Sequence, residues 1–339
     1  MASASAWGGW VSVVHPATPV IIDTDPGVDD ALAVLFALAS PELEVVGITT
    51  VFGNADVATT TRNAFAILDA AERPDIPIAL GAAAPLAGPF PGGVPQVHGL
   101  DGLGDGGVSF TARAAATAPV PAAEFIWQAV AARPGQVTLL ALGPLTNLAL
   151  ALRLRPELPR LVGRVVVMGG NALVPGNATP CAEANMHSDP EAADLVLGAG
   201  WPVTMVGLDV THKVNLTGSA IERITASKAA PNALLAGALP LYRTFFERTN
   251  GIDGIFLHDP SAVVFLVAPS LFRVESWPIR VERYGIGRGK TWPSLGDTDD
   301  PAPAAWAGRP RVQVGTGVVG EQVAALVASR LSREVPRLL

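Results

Sequence analysis

The stretch PVIIDTDPGVDDALAVLFALA, residues 19–39, decides the fold. Residues 19–23 form an apolar run of strand length, and residues 28–39 repeat apolar side chains at helical spacing to give an apolar face. Pro26 and Gly27 turn the chain between the two, and Gly27 offers backbone dihedrals that a side chain forbids. The segment reads as strand, tight turn and helix. Four carboxylates, Asp23, Asp25, Asp29 and Asp30, fall within eight positions of that turn. Charge this dense at a strand end is costly unless something offsets it.

Outward from this segment the alternation continues. Strand-like runs at 43–51, 76–80, 137–142, 165–169 and 203–208 alternate with helical runs at 55–71, 122–132 and 145–154, and with an Ala-rich helix before the last strand. Short apolar strands separated by helices predict an open, mostly parallel, Rossmann-like α/β sheet with flanking helices. After Leu216 the pattern changes. Two helices precede His258, a third covers 260–267, a strand covers 280–286, and VQVGTGV at 312–318 leads into a last helix at 321–331. These predict a smaller helical and mixed cap, within one domain over residues 1–339. Residues 82–110 are rich in glycine and proline. So long a connection is a surface excursion or an active-site lid.

Composition narrows the function classes. With 49% hydrophobic residues the chain can bury a large core. Its 23 basic and 30 acidic residues give a net charge of -7, with no long basic block, so no nucleic-acid partner is expected. Cys181 is the only cysteine, which excludes an intrachain disulfide and a thiolate zinc site. Residues 1–16 lack a basic region and a sustained apolar core, so they do not read as a signal peptide. No apolar run is long enough to cross a bilayer. The expectation is a cytoplasmic protein with no membrane partner.

The acidic turn sits where open α/β sheets bind ligands, beyond the carboxyl end of a strand. Helix capping explains one or two of its carboxylates but not four. Hard oxygen ligands suit Ca²⁺ or Mg²⁺. A carboxylate beside such a metal can also take a proton from water. A second polar cluster, GNATPCAEANMHSDPEAA (176–193), supplies Asn177, Glu183 and Asn185, which can hydrogen-bond a polyol in several directions. Asp189 with Pro190 reads as a helix start. A third cluster is His258-Asp259-Pro260. His258 is either a satisfied structural histidine or a proton donor to a departing group, and Asp259 either a cap or a ligand. His98 lies in the glycine-rich loop, and Asn54 follows a strand, where it reaches the same crevice or merely shapes a turn.

With these pieces assembled, the chain resembles the inosine-uridine preferring nucleoside hydrolases. DTDPGVDDALA resembles the family's amino-terminal signature. The resemblance continues in order through TTVFGN, HGLDGLG, ALGPLTNLA, MGG, GNATPCAEAN, DPEAA, GLDVTHKV and HDP. It implies hydrolysis of the N-glycosidic bond of a ribonucleoside substrate to ribose and free base, with a tightly bound Ca²⁺ and a homodimer or homotetramer. Asp25, Asp30, Asp259 and the Leu142 carbonyl are implied as calcium ligands, and Asp29 as the base that activates the attacking water. Asn54, Asn177, Glu183 and Asn185 are implied to hold the ribose hydroxyls, with Met168 packed nearby. His258 is implied to protonate the leaving base. His98, Tyr242 and Phe246 are implied to line the base side. Asp23 is left as structural support for the turn.

The sequence departs from the family pattern in three places, one of them Pro260 after the His258-Asp259 pair, where a small residue is common but plant-type members resemble this chain. Ala184 stands where an aromatic is common, and the loop MGGNALVPGN is one residue longer than the short form. Two rival readings remain: a metal-dependent phosphatase, for which no GxxxxGK[ST] phosphate cradle is present, and a non-catalytic nucleoside-binding protein.

Overall fold

The computed structural model describes residues 16–108, 117–296 and 304–332. Residues 1–15, on which the signal-peptide reading rests, and residues 109 and 110 of the long loop lie outside the described residues. Eleven strands are found among the described residues. They are β1 Thr18–Thr24, β2 Leu43–Thr50, β3 Ile78–Leu80, β4 Thr138–Ala141, β5 Arg164–Met168, β6 Val203–Val206, β7 Asn215–Thr217, β8 Gly254–Phe256, β9 Phe272–Val281, β10 Thr291–Pro293 and β11 Arg311–Val318.

Nine strands form one sheet in the order β10-β9-β11-β6-β5-β4-β1-β2-β3. From β3 to β11 the neighbours are parallel, and β9 and β10 extend the sheet antiparallel. The predicted open α/β sheet is therefore present. The chain leaves β1 toward β2 on one side and returns to β4 on the other, so the order reverses at β1. The crevice beyond the carboxyl ends at such a point is where ligands bind in this architecture. The acidic turn lies there, one residue past Thr24.

Side-chain alternation along the strands splits the core in two. Val20, Ile22, Leu140 and Val166 belong to one cluster; Ile21, Leu139, Val165 and Val167 belong to the other. Both sheet faces are thus covered, as a period of two in fully buried strands demands. The helix Val28–Leu38 is buried from Val28 through Ala37, around its whole circumference rather than along one apolar face. It packs against the helices His258–Val267, Ala230–Asn250 and Gly320–Leu331, which enclose it. That enclosure carries Asp259 and Tyr242 to the acidic turn.

The region after Leu216 differs from expectation. Only β7, β8 and the helices Gly218–Thr225 and Ala230–Asn250 form the small cap. The chain then rejoins the main sheet through β9, a strand that ends at Val281 and does not continue to residue 286. Gly285 and Gly289 adopt φ of 79° and 88°, left-handed values that no strand ladder accommodates. Residues 282–290 therefore form a closed turn, with Gly289 N–H donating to Glu282 O at 2.7 Å.

Candidate active site

Gly27 is the N-cap of the helix Val28–Leu38, with φ -102° and ψ -161°. Those angles are open to any residue, so the need for glycine is not conformational. A Cβ there would lie 2.6 Å from His98 Nδ1 and 2.7 Å from Asn54 Nδ2. Glycine is required because two side chains close on the turn. Gly27 N–H donates to Asp30 Oδ2 at 2.9 Å, and the Thr24 hydroxyl donates to Asp30 Oδ1.

Asn54 caps no helix, since Asp56 takes that role for Val57–Ala70. Instead its N–H donates to Asp25 Oδ2 at 2.8 Å, and its Nδ2 donates to Asp30 Oδ2 at 3.0 Å. Asp25 is pressed between backbones: a Cβ on Gly53 would lie 1.9 Å from its Oδ2, and one on Gly143 2.4 Å from its Oδ1. Asp29, Asp30 and Asp259 are all buried, and each offers a carboxylate oxygen within 4.8 Å of the others. Asp29 Oδ1 is buried with no hydrogen-bond partner.

Electrostatics set this cluster apart. Burial raises Asp29 to about 6, although the Tyr242 hydroxyl draws it partly back. Burial and the neighbouring Asp29 charge raise Asp30 to about 6. Burial and the surrounding carboxylates push Asp25 and Asp259 well above the usual range. His98 Nδ1 lies 4.0 Å from Asp29 Oδ1. That contact is no ion pair, because the same nitrogen accepts Val28 N–H at 3.1 Å and burial lowers His98 to about 4. Several buried, mutually repelling carboxylates without a cation are unfavourable unless a metal joins them. Hard oxygen donors and an orphaned buried Oδ1 fit a hard divalent cation.

A second group lies on the far side of β4. Glu183 is 1% exposed and caps the helix Ala184–Ser188. Its Oε2 accepts Gly170 N–H at 2.9 Å, and its Oε1 accepts Asn185 N–H at 2.8 Å. Asn185 Nδ2 donates to the Leu142 carbonyl at 2.6 Å and to the Met168 carbonyl at 3.2 Å. Asn177 is exposed, and its Oδ1 accepts Ala184 N–H at 3.0 Å. Ala184 is exposed as well. Asp189 is the predicted helix N-cap, accepting Ala192 N–H at 3.0 Å.

The third group is aromatic and imidazole. The rings of His98 and Tyr242 lie 5.4 Å apart, those of Tyr242 and Phe246 5.0 Å, and those of Phe246 and His258 6.1 Å. His258 Nδ1 meets the Thr211 hydroxyl at 2.8 Å. Burial and the nearby His212 and His98 lower His258 to about 3, so it is a neutral imidazole at neutral pH. Both His258 and Asp259 sit in the first turn of His258–Val267.

Against this geometry the comparisons with known proteins are decisive. The family model "Inosine-uridine preferring nucleoside hydrolase" matches residues 20–325. The chain belongs to that family. This nucleoside hydrolase is 41% identical to the probable uridine nucleosidase 2 of Oryza sativa subsp. japonica, over 87% of each chain. It is 39% identical to uridine nucleosidase 1 of Arabidopsis thaliana, over 93% of each. Its fold matches the solved plant nucleoside hydrolase PpNRh1 enzyme with a TM-score of 0.90 and 39% identity, covering 94% of this chain and 100% of the other.

Several site contacts were not singled out from sequence. Thr24 serves Asp30, and Thr211 serves His258. Asn147 Nδ2 and the Thr49 hydroxyl both donate to Asp23 Oδ1, at 2.7 and 2.5 Å. Asn147 and Thr211 lie inside the motifs ALGPLTNLA and GLDVTHKV, so their place in those motifs was the available signal.

Proposed function

We propose that this nucleoside hydrolase cleaves ribonucleosides with calcium as its cofactor, with uridine as the favoured substrate. The observation that carries the reading is the buried convergence of Asp29, Asp30 and Asp259, with one Asp29 oxygen left unpaired. Asp30, Asp259, Asp25 and the Leu142 carbonyl would hold the ion. When bound, calcium offsets the carboxylate charges and acidifies the attacking water.

Asp29 takes the proton from that water at Oδ1. The water oxygen attacks C1′ of the ribose, and the electron pair of the N-glycosidic bond leaves with the base. The sugar passes through an oxocarbenium-like state, which the carboxylates stabilise. Glu183, Asn185, Asn177 and Asn54 hold the sugar hydroxyls, with Met168 beneath. His98, Tyr242, Phe246 and His258 line the side from which the base departs. With the Thr211 hydroxyl donating to Nδ1, neutral His258 carries its hydrogen on Nε2 and directs it as a hydrogen bond to the leaving base.

The uridine preference rests on the plant relatives named as uridine nucleosidases. The resemblance also supports a homodimer or homotetramer, and the single cysteine fits a cytoplasmic setting. The catalytic unit is one domain, since its carboxylates come from opposite ends of the chain. A ribonucleoside panel tests the function. Ribose release from uridine should exceed that from inosine, adenosine, cytidine and xanthosine, and a calcium chelator should abolish it. No ribose from any of the five, with calcium present, sinks the reading. Light scattering and cell fractionation test assembly and location.

A further inference from the structure

The loop after β5 passes between two opposite charges. Ala172 N–H donates to Asp209 Oδ2 at 2.7 Å, and Leu173 N–H donates to Asp209 Oδ1 at 2.7 Å. On the other side, Lys290 Nζ donates to the carbonyls of Asn171 at 2.5 Å, Ala172 at 3.4 Å and Val174 at 3.3 Å. The carbonyl of Asn171 and the N–H of Ala172 belong to one peptide unit. The carbonyl of Ala172 and the N–H of Leu173 belong to the next. Two consecutive peptide dipoles therefore lie between a carboxylate and an ammonium, each with its positive end on Asp209 and its negative end on Lys290. Asp209 is 2% exposed and Lys290 9%, so water screens these contacts little.

Asn171 carries the constraint onward. Its N–H donates to the Thr291 hydroxyl at 2.8 Å, and its Nδ2 donates to Cys181 O at 2.8 Å. Its Oδ1 accepts Glu183 N–H at 3.3 Å. Gly170 N–H, one residue before the strapped peptides, donates to Glu183 Oε2. Glu183 is thus fixed through both its backbone and its carboxylate by one loop.

We propose that Asp209 and Lys290 are positioning residues, an electrostatic clamp that sets the Glu183 carboxylate for the sugar hydroxyls through Asn171 and Gly170. The inference rests on the ribose reading of Glu183 given above. It also assigns a purpose to the antiparallel extension of the sheet. The turn between β9 and β10 delivers Lys290 to the loop.

The test compares Lys290→Ala, Lys290→Met and Glu183→Ala with the full-length enzyme on uridine. Misplacing a contact group by a fraction of a helical rise is enough to cost about 100-fold in kcat/KM, and both lysine variants should lose about that much. Lys290→Ala leaves three carbonyls facing a space of alkylammonium shape, so added propylammonium should restore most of its loss. The same salt should leave Lys290→Met and the wild type unchanged. Wild-type activity in Lys290→Ala, or a loss that the amine does not relieve, overturns the clamp. Where the variants do not fold, amide exchange in the wild type decides. Ala172 and Leu173 should be as protected as β5, and free exchange at both overturns the clamp. Glu183→Ala separates the two readings. Full turnover in that variant defeats the ribose role of Glu183, whereas a crippled Glu183→Ala beside a fully active Lys290→Ala defeats the clamp alone.

Discussion

Asp194 and the carboxylates of the acidic turn are all buried, and they differ in their company. Asp194 accepts Arg280 Nε at 3.0 Å, Arg309 Nη2 at 2.9 Å and Val281 N–H at 3.0 Å. It ties the helix Pro190–Leu197 to β9. The acidic turn gathers Asp25, Asp29, Asp30 and Asp259, and among the described residues no lysine or arginine forms an ion pair with them. A buried charge with its partners in place supports structure. A buried set without partners is unstable alone and is retained for what it binds.

The largest effects should separate the two groups cleanly. Asp29→Asn removes the proposed base and should lower kcat on uridine by roughly 10²–10⁴-fold. Its circular dichroism and melting temperature should stay close to wild type, because the change removes one of several repelling charges. Wild-type turnover in Asp29→Asn would remove Asp29 from the proton-accepting role. Asp194→Asn should do the opposite. It leaves two arginines without their carboxylate and should cost about 3 kcal/mol by denaturant titration. Arg280 is 31% exposed, so water takes over part of its charge and the cost stays at the low end. Turnover of the folded Asp194→Asn enzyme should match wild type, and a large loss in kcat would erase the contrast.

Protons sharpen the same contrast. Burial raises Asp23 to about 7, and Asp29 and Asp30 to about 6, from 3.8. Between about pH 4 and pH 7, then, the metal-free folded chain keeps protons that the unfolded chain has released. Its stability is greatest at the acid end of this window and falls as pH rises. Each whole proton contributes a slope of about 1.4 kcal/mol per pH unit. If calcium is the ion, as proposed, its ligand carboxylates would be ionised when it binds, and acid would compete with it. Melting temperature in chelator should therefore rise from pH 7 to pH 5, while in calcium it should fall. Parallel curves would mean that the ion is not held by these groups.

The strand, turn and helix around Asp23–Asp30 were legible because charge density and apolar period are local signals. The parallel sheet followed from regular alternation, and the polar clusters that meet at the acidic turn were visible as motifs at strand ends. Long-range causes were not legible. Gly27 looks like a conformational glycine until His98 and Asn54 are seen closing on it. Lys290 lies just past the run read as strand, and its place depends on two left-handed glycines and on a loop more than a hundred residues earlier. Nothing near Asp209 or Lys290 in sequence announces that they face each other across one loop.

Gly27→Ala tests how tightly the unpaired group is enclosed. Its backbone angles suit alanine, so any cost is steric. The new methyl meets His98 and Asn54 well inside contact distance, and such overpacking costs about 1–3 kcal/mol. Because Asn54 also holds Asp25 and Asp30, turnover should fall with stability. An equally stable and active Gly27→Ala would show that the turn is looser than its contacts imply.

The smallest effect concerns the departing base. Thr211 is fully buried, and its hydroxyl meets His258 Nδ1. Thr211→Val keeps the shape and removes only that hydroxyl, leaving a buried ring nitrogen unpaired. The stability cost should be about 1 kcal/mol. The kinetic cost should depend on the leaving group. Uracil departs as a poor leaving group that needs a hydrogen bond to its developing charge, so kcat on uridine should fall severalfold. A p-nitrophenyl riboside loses a phenolate that needs none, so its turnover should be unchanged. Equal losses on both substrates would mean that Thr211 and His258 hold the fold of this corner rather than a contact to the departing base. His258 would then join Asp194 among the groups that serve structure alone.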